Sequence, residues 1–400
     1  NLSKSDRVII AENRRYLGAN LIYDEKIIPI SIRQDGLGEE HFDNQYMNQN
    51  TYKIRMKNEK YFKNMKEFRI VSPDSVRHDI PIYANKLLDK LNIPNPKQIL
   101  AKIDLNQDRM NKSVIKKQEY THIIEESIKD DFLDRNYLRE GVLFKRDIFN
   151  SEGMKILQEC RKKVLNKEDC DLKLKERINN AKIKQINKFK NKDQINHAFG
   201  IFNQYLLGLK TPNEVINYET TIDLFIFHSI WNNGHSLQDH NIKFYYDPIS
   251  KLITPIPSDF FHPMPFYADS SEVQSNDKLI IPFKIENWEF AAEIEHFFKY
   301  NNGAENWFDN LIADSNFQMN YFSRLQELLI DKDKIKDLRS VNFEVFSETN
   351  NYYGYIKGEG EDEITFVNIF NNNLTSMIEF VGNVKFQKII NKQFNKFKKE

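Results

Sequence analysis

The residues best suited to chemistry lie in one stretch, "NNGHSLQDHNIKFYYDPISKLITPIPSDFF", at positions 232–261. His235, Asp239 and Asn241 fall close together, an aromatic strand follows, and Asp259 stands behind a Pro-Ile-Pro turn. Asn241 and Asp259 carry hard oxygen donors of the kind that hold Mg²⁺. Phosphoryl transfer needs such an ion on the phosphates and a group that orients the attacking hydroxyl. Asp239 supplies the usual carboxylate for that second task, and His235 takes up a proton near neutral pH. The competing reading is structural. Asp259 then serves as a turn or helix-cap residue, His235 as a hydrogen-bonded structural histidine, and His240 as a partner of the backbone.

The elements around these residues decide whether they meet. "IKFYY", the turn "DPISK" and "LITPIP" read as an antiparallel hairpin. Pairing 242–246 with 252–256 carries Asn241 and Asp259 to the same end of it. In kinase-like sites the metal is held in this way, by one Asn and one Asp at the two ends of a hairpin.

Upstream, residues 1–150 read as a strand-rich half. "RVII" and "LIYDEKIIPISIR" are short strands with turns, and "TYKIRMK" alternates Tyr52, Ile54 and Met56 with basic residues, the period of a half-buried strand. "MKEFRIV" looks like its partner. Ser72-Pro73-Asp74-Ser75 can cap a helix over 75–91, in which Ile82, Leu87, Leu88 and Leu91 form an apolar stripe and Pro81 marks a kink or late start. "KQILAKIDL", "SVIKKQEYTHII" ending at Glu125-Glu126, a helix over 128–138 and the strand "GVLFKRDIF" complete this half. Gly36-Leu37-Gly38 reads as an ordinary turn, since GxG without the rest of a phosphate-binding pattern is weak evidence.

From Gly153 the period becomes helical, and residues 151–340 read as a helical half that contains the polar hairpin. The basic stretch 161–192 reads as the solvated face of one or two helices, or as a docking surface for an acidic partner. "INHAFGIFNQYLLGL" and "YETTIDLFIFHSIWNN" are amphipathic or buried helices, and Phe317, Tyr321, Leu325 and Leu328 mark another. Residues 341–400 are a C-terminal extension, irregular at first. The predicted class is α+β, and a strand-rich lobe followed by a helical one is the layout of a protein-kinase-like fold, a layout that many other two-lobed enzymes share.

The totals exclude some partners. Among the 400 residues, 58 basic and 58 acidic residues balance, so no global field draws the chain to nucleic acid or an anionic membrane. No apolar run approaches a membrane span. Cys160 and Cys170 show no zinc-site spacing and are expected as free thiols. The chain opens on Asn1 rather than Met, which leaves room for an upstream signal or domain.

Three segments, in order, resemble the CotH family, the spore-coat-type atypical protein kinases, over most of residues 25–335. "ISIRQDG" with "TYKIRMKNEKYFKNMKEFRIVSPDSVR" is similar to the family's opening, and "EYTHIIEESIKDDFLDRNYLREGVLFKRD" to its Glu-Glu and Arg-Glu-Gly segment. "HSLQDHNIKFYYDPISKLITPIPSDF" is similar to its signature, an Asn at the head of an aromatic strand, a turn, then Ile-Pro-x-Asp. The resemblance implies a reduced two-lobed kinase-like fold that uses ATP and Mg²⁺, with Mn²⁺ as an alternative, to phosphorylate Ser or Thr of a protein. A coat or envelope protein is the implied acceptor, and a cell-surface, envelope or coat location goes with it. Asp259 becomes the principal metal ligand and Asn241 the second. The base is Asp239 or His235: many members carry Asp ahead of the Asn, and the branch this chain most resembles carries His at the position of His235.

Nucleotide contacts fall to Lys53, Arg77, Glu126 and Lys145, each of which also reads as an ordinary strand-face or turn residue; Arg55 shares the strand of Lys53. "PSDFF" lacks the Trp-Asp-x-Asp ending of better-known members, so a ligand from a second Asp is absent. A nucleotide-binding or structural assembly module of pseudokinase type is the alternative. Transfer of AMP, or of phosphate to a glycan, is a weaker third.

Overall fold

A computed structural model of the chain describes residues 15–35, 51–58, 60–71, 80–103, 120–147, 182–206, 208–232, 234–238, 241–260, 263, 307–341 and 366–382. Arg77, Asp239, His240, both cysteines and Gly36–Gly38 lie outside them. The chain is α+β and divides into two compact units, Asn1–Lys86 with Asn95–Leu138, and Leu87–Pro94 with Arg139–Glu400.

The first unit is built on a six-stranded antiparallel sheet of β1 (Leu17–Tyr23), β2 (Lys26–Gln34), β3 (Tyr52–Met56), β4 (Glu67–Val71), β5 (Gln98–Ile103) and β6 (Tyr120–Glu126), in the order β1-β2-β3-β4-β6-β5. Asp24 and Glu25 join β1 to β2 with φ of 50° and 59°, the positive values that a two-residue hairpin turn demands. Strand alternation then sorts the side chains. Ile54, Phe68 and Ile70 fall into a core with Ile30, Met56, Phe62, Met65 and Ile124. On the other face Val71 and Ile123 pack with Ile82 of helix α1 (Ile80–Lys90). Pro81 sits in the first described turn of α1, where its missing N–H costs no hydrogen bond. Helix α2 (Asp130–Arg135) follows β6 and buries Phe132 and Leu133.

The second unit holds a four-stranded antiparallel sheet of β7 (Val142–Asp147), β8 (Lys182–Gln185), β9 (Lys243–Tyr246) and β10 (Ile253–Ile256), in the order β10-β9-β7-β8. Two expectations are corrected here. The strand "GVLFKRDIF", grouped above with the first half, pairs instead with β9, Phe144 opposite Phe244. Residues 182–185, read above within a helical stretch, form a strand against β7. In both cases the deciding contact is remote in sequence, so no local period announces it.

Helix α3 (Lys192–Leu206) buries Ala198, Ile201, Phe202 and Tyr205, the spacing of one helical face. Phe202 meets Phe244 with ring centroids 4.6 Å apart and Phe144 at 5.3 Å, closing one face of the sheet. The short α4 (Pro212–Val215) carries a Thr211–Glu214 capping box and leads into α5 (Tyr218–Trp231). Every residue of α5 from Thr221 to Trp231 is buried, which marks it as the central helix of the unit. It packs with α7 (Ser315–Ile330) and α9 (Phe366–Gly382), and Asn373 Nδ2 donates to the Ile230 carbonyl at 2.8 Å. The remaining helices are α6 (Asp309–Ala313) and α8 (Lys332–Arg339). Among the described residues no helix is long and apolar enough to cross a membrane.

Gly141 enters β7 where a side chain has no room. A Cβ there would stand 2.4 Å from the Tyr246 carbonyl oxygen and 2.8 Å from the Tyr245 ring. The backbone oxygen cannot step aside without breaking the β7–β9 ladder. Gly141→Ala is therefore expected to destabilise the second unit by about 2 kcal/mol or more, read as a lower urea midpoint.

Candidate active site

Chain geometry and a set of buried hydrogen bonds hold the hairpin end in place. Helix α5 stops at Asn232, whose φ of 52° turns the chain out of the helix. A single 3₁₀ turn, His235–Leu237, follows. It is pinned from two sides: Trp307 Nε1 donates to the Leu237 carbonyl at 2.8 Å, and buried Ser236 Oγ lies 2.9 Å from His228 Nε2. The backbone N–H groups of Asn241 and Ile242 both reach the Gln238 carbonyl at 2.9 Å, which delivers the chain into β9.

Asn241 is buried, with 5% of its surface exposed. Its Nδ2 donates to the His235 carbonyl at 3.0 Å. A carbonyl only accepts, so this contact assigns the nitrogen end of the amide. Oδ1 is left with no hydrogen bond among the described residues. The β9–β10 register, Lys243 opposite Ile256, continues to place Asn241 across from Ser258. Ser258 Oγ donates to the Asn241 carbonyl. Lys243 Nζ reaches the same carbonyl at 2.6 Å and Ser258 Oγ at 2.7 Å. One ammonium and one hydroxyl thus tie the two strand ends together.

Asp259 comes next, with φ of 64°. Side chains rarely occupy this left-handed region, although the short polar chain of Asp tolerates it better than most. The turn it makes leaves the carboxylate 36% exposed, and Oδ2 lies 3.8 Å from His235 Nε2. Phe260 behind it is buried against His228 and Phe227, which fixes the exit of the chain. His235 therefore links the pair, with its carbonyl on Asn241 and its ring beside Asp259. Asp239, the remaining residue proposed from this stretch, lies outside the described residues.

These donors suit a hard divalent cation. Mg²⁺ takes one or two protein oxygens and completes its shell with water and phosphate, which fits an unpartnered amide oxygen and an accessible carboxylate. Among the described residues no group of three or more His, Cys, Asp or Glu could hold a metal ion. Lys145 stands on β7 at the same end of the sheet, one position past the Phe144–Phe244 pair. Lys243 and Ser258 did not stand out in the sequence. The signal for Lys243 was its place two residues after Asn241, on a strand whose other residues are aromatic.

The first unit positions two more of the proposed residues, and it separates them. Register puts Lys53, Arg69 and Glu125 in one row across the sheet, and Ile54, Phe68 and Glu126 in the next. Neighbouring rows point to opposite faces, so Lys53 and Glu126 do not share a surface. Glu126 ends β6 with its side chain 1% exposed. Its Oε2 accepts from Arg135 Nε at 2.8 Å and from the Lys97 N–H at 3.0 Å. As placed, it is a buried partner of Arg135. Oε1 has no hydrogen-bond partner among the described residues.

Lys53 forms an ion pair with Glu67 at 2.8 Å, and Arg55 and Lys129 reach the same carboxylate at 2.7 and 2.9 Å. Burial pulls the Lys53 amine below its usual range, and Glu67 partly offsets this. Burial also pushes the Glu67 carboxyl up, but Lys53 and Lys129 outweigh it and hold the group at about 2, against an ordinary 4.5. A folded value below the unfolded one stabilises above pH 4.5, and that contribution is lost as pH falls towards about 2. Glu67→Gln is accordingly expected to flatten the acid side of the stability profile across that window, measured by urea unfolding.

Compared with models of known protein families and with curated proteins, the chain matches none.

Proposed function

We propose that this chain is an atypical kinase that transfers the γ-phosphate of ATP to Ser or Thr of a protein, on a reduced kinase-like fold. Metal and acceptor contacts are assigned to the hairpin end, and nucleotide contacts, from the sequence likeness, to Lys53, Arg77 and Lys145; Glu126, paired with Arg135 on the face opposite Lys53, is left out of them. The observation that carries this reading is the hairpin end. There a buried amide with an unpartnered oxygen and an accessible carboxylate are held together by His235, Lys243 and Ser258. The likeness of three sequence segments to the CotH family supports it independently.

Asn241 and Asp259 would hold Mg²⁺, which would supply positive charge against the negative charge that develops during transfer. The chain's own part is positioning. Asn241 offers Oδ1 because its nitrogen is occupied by the His235 carbonyl, and Asp259 offers its carboxylate because the left-handed turn aims it out of the core. Asp239 takes the acceptor proton in this reading, while the His235 ring attends Asp259. That same placement of His235 favours a second reading, a module that binds nucleotide without transferring phosphate, since the ring is engaged with Asp259.

The deciding experiment incubates the protein with γ-labelled ATP, Mg²⁺ or Mn²⁺ and a generic basic protein. Label in protein supports the kinase. A nucleotide-dependent rise in thermal midpoint without label supports the binding module, and neither result refutes both.

A further inference from the structure

Lysines from three neighbouring strands stand in a row on one face of the four-stranded sheet. Lys145 of β7 is paired directly with Lys184 of β8. On β9, Lys243 comes one step beyond the last β7–β9 pair, Phe144–Phe244, so continuing that register brings it beside Lys145. Directly opposed residues of an antiparallel pair share a face, with Cβ atoms about 5 Å apart. The row therefore spans two strand spacings, about 10 Å, and its inner end lies at Asn241 and Ser258. Lys243 and Lys145 are half-buried and Lys184 is exposed.

Like charges placed this way weaken a sheet unless something neutralises them. The six-stranded sheet shows the usual remedy. Its row Arg33–Lys53–Arg69 is also basic, but Arg33 has Asp35 at 3.7 Å, Lys53 has Glu67 at 2.8 Å and Arg69 has Glu125 at 2.5 Å. Among the described side chains, neither Lys145 nor Lys184 has a carboxylate in ion-pair reach.

We propose that this row is a subsite for a multiply charged phosphate ligand, whose oxygens supply counter-charge to Lys145 and Lys184. Spacing favours phosphate over an acidic peptide. Side chains on one face of an extended peptide recur about every 7 Å, whereas the lysines recur at about 5 Å, closer to the repeat of a compact phosphate chain. The phosphate tail of a nucleotide and a free polyphosphate share this chemistry. The subsite has Lys145 in common with the kinase reading but needs neither metal nor Asp259.

The test is titration of inorganic tripolyphosphate into the full chain in metal-free buffer, by calorimetry and thermal midpoint. Binding is expected to raise the midpoint and to weaken with added salt. Lys145→Gln and Lys184→Gln are each expected to weaken binding at least about fivefold, and to raise the midpoint of the ligand-free protein by relieving repulsion. Asp259→Asn is expected to bind at least as tightly as the parent, which separates failure here from failure of the kinase reading. ATP binding more tightly than tripolyphosphate assigns the subsite to a nucleotide, and equal affinity assigns it to the phosphate chain alone. The proposal is overturned if the parent does not bind, if both lysine variants bind as the parent does, or if a poly-glutamate peptide of equal charge competes equally well.

Discussion

Under the kinase proposal, Asp259→Asn is expected to abolish transfer of label from ATP, a loss of at least about 100-fold, in a protein that stays folded. Asn is the informative replacement because it keeps the size of the side chain and tolerates the φ of 64° at this position. What it removes is the negative charge that a divalent cation requires. Asp259→Gly goes further and separates two roles. Glycine adopts the left-handed region without penalty, so this variant is expected to hold its stability within about 1 kcal/mol of the parent or above it, with transfer again lost. A strained residue whose removal spares the fold and ends the activity is a residue kept for chemistry. Full label transfer by either variant, relative to the parent, rules out Asp259 as a metal ligand.

Phe244→Ala is expected to cost about 3–5 kcal/mol, the largest loss of stability anticipated from a single side chain here. Phe244 is fully buried on β9. It stacks on Phe144 at 5.5 Å and 24°, meets Phe202 at 4.6 Å and stands edge-on to Trp307 at 5.4 Å. Removing the ring takes apolar surface from the strand that carries Asn241 at its head, and opens a cavity against three aromatic partners that cannot collapse together. The thermal midpoint of the second unit should fall by on the order of 10 °C. Trp231 and Trp307, both buried, belong to that unit, so tryptophan fluorescence reports on its unfolding. Phe244→Leu keeps most of the volume and is expected to cost less than about 1.5 kcal/mol. Equal stability of the Ala variant and the parent would refute the account of how the hairpin is anchored.

Local pattern in this chain was informative wherever an element meets its neighbours through a regular period. The stripe through Phe317, Tyr321, Leu325 and Leu328 became α7, and the apolar run "YETTIDLFIFHSIW" became the central helix α5. The hairpin was legible because a short turn leaves an antiparallel pair few registers. Once 243–246 pairs with 253–256, Asn241 and Asp259 share an end.

The partner of β7 was not legible, nor was the strand at 182–185. Their ladders join residues far apart in the chain, Lys145 with Lys184 and Phe144 with Phe244, and no local period encodes a remote partner. The same limit hid the separation of Lys53 from Glu126, which depends on the β4–β6 register. What the sequence determined by itself was the strongly periodic helices and the hairpin that carries Asn241 and Asp259 to one end, because both are short-range consequences of periodicity and turn chemistry. What only the tertiary structure decided was which way those donors face and what surrounds them. The β7–β8 and β7–β9 ladders, and with them the opposition of Lys145 and Lys184, follow from strands brought together over long connections, where packing of buried side chains, rather than local preference, sets the register.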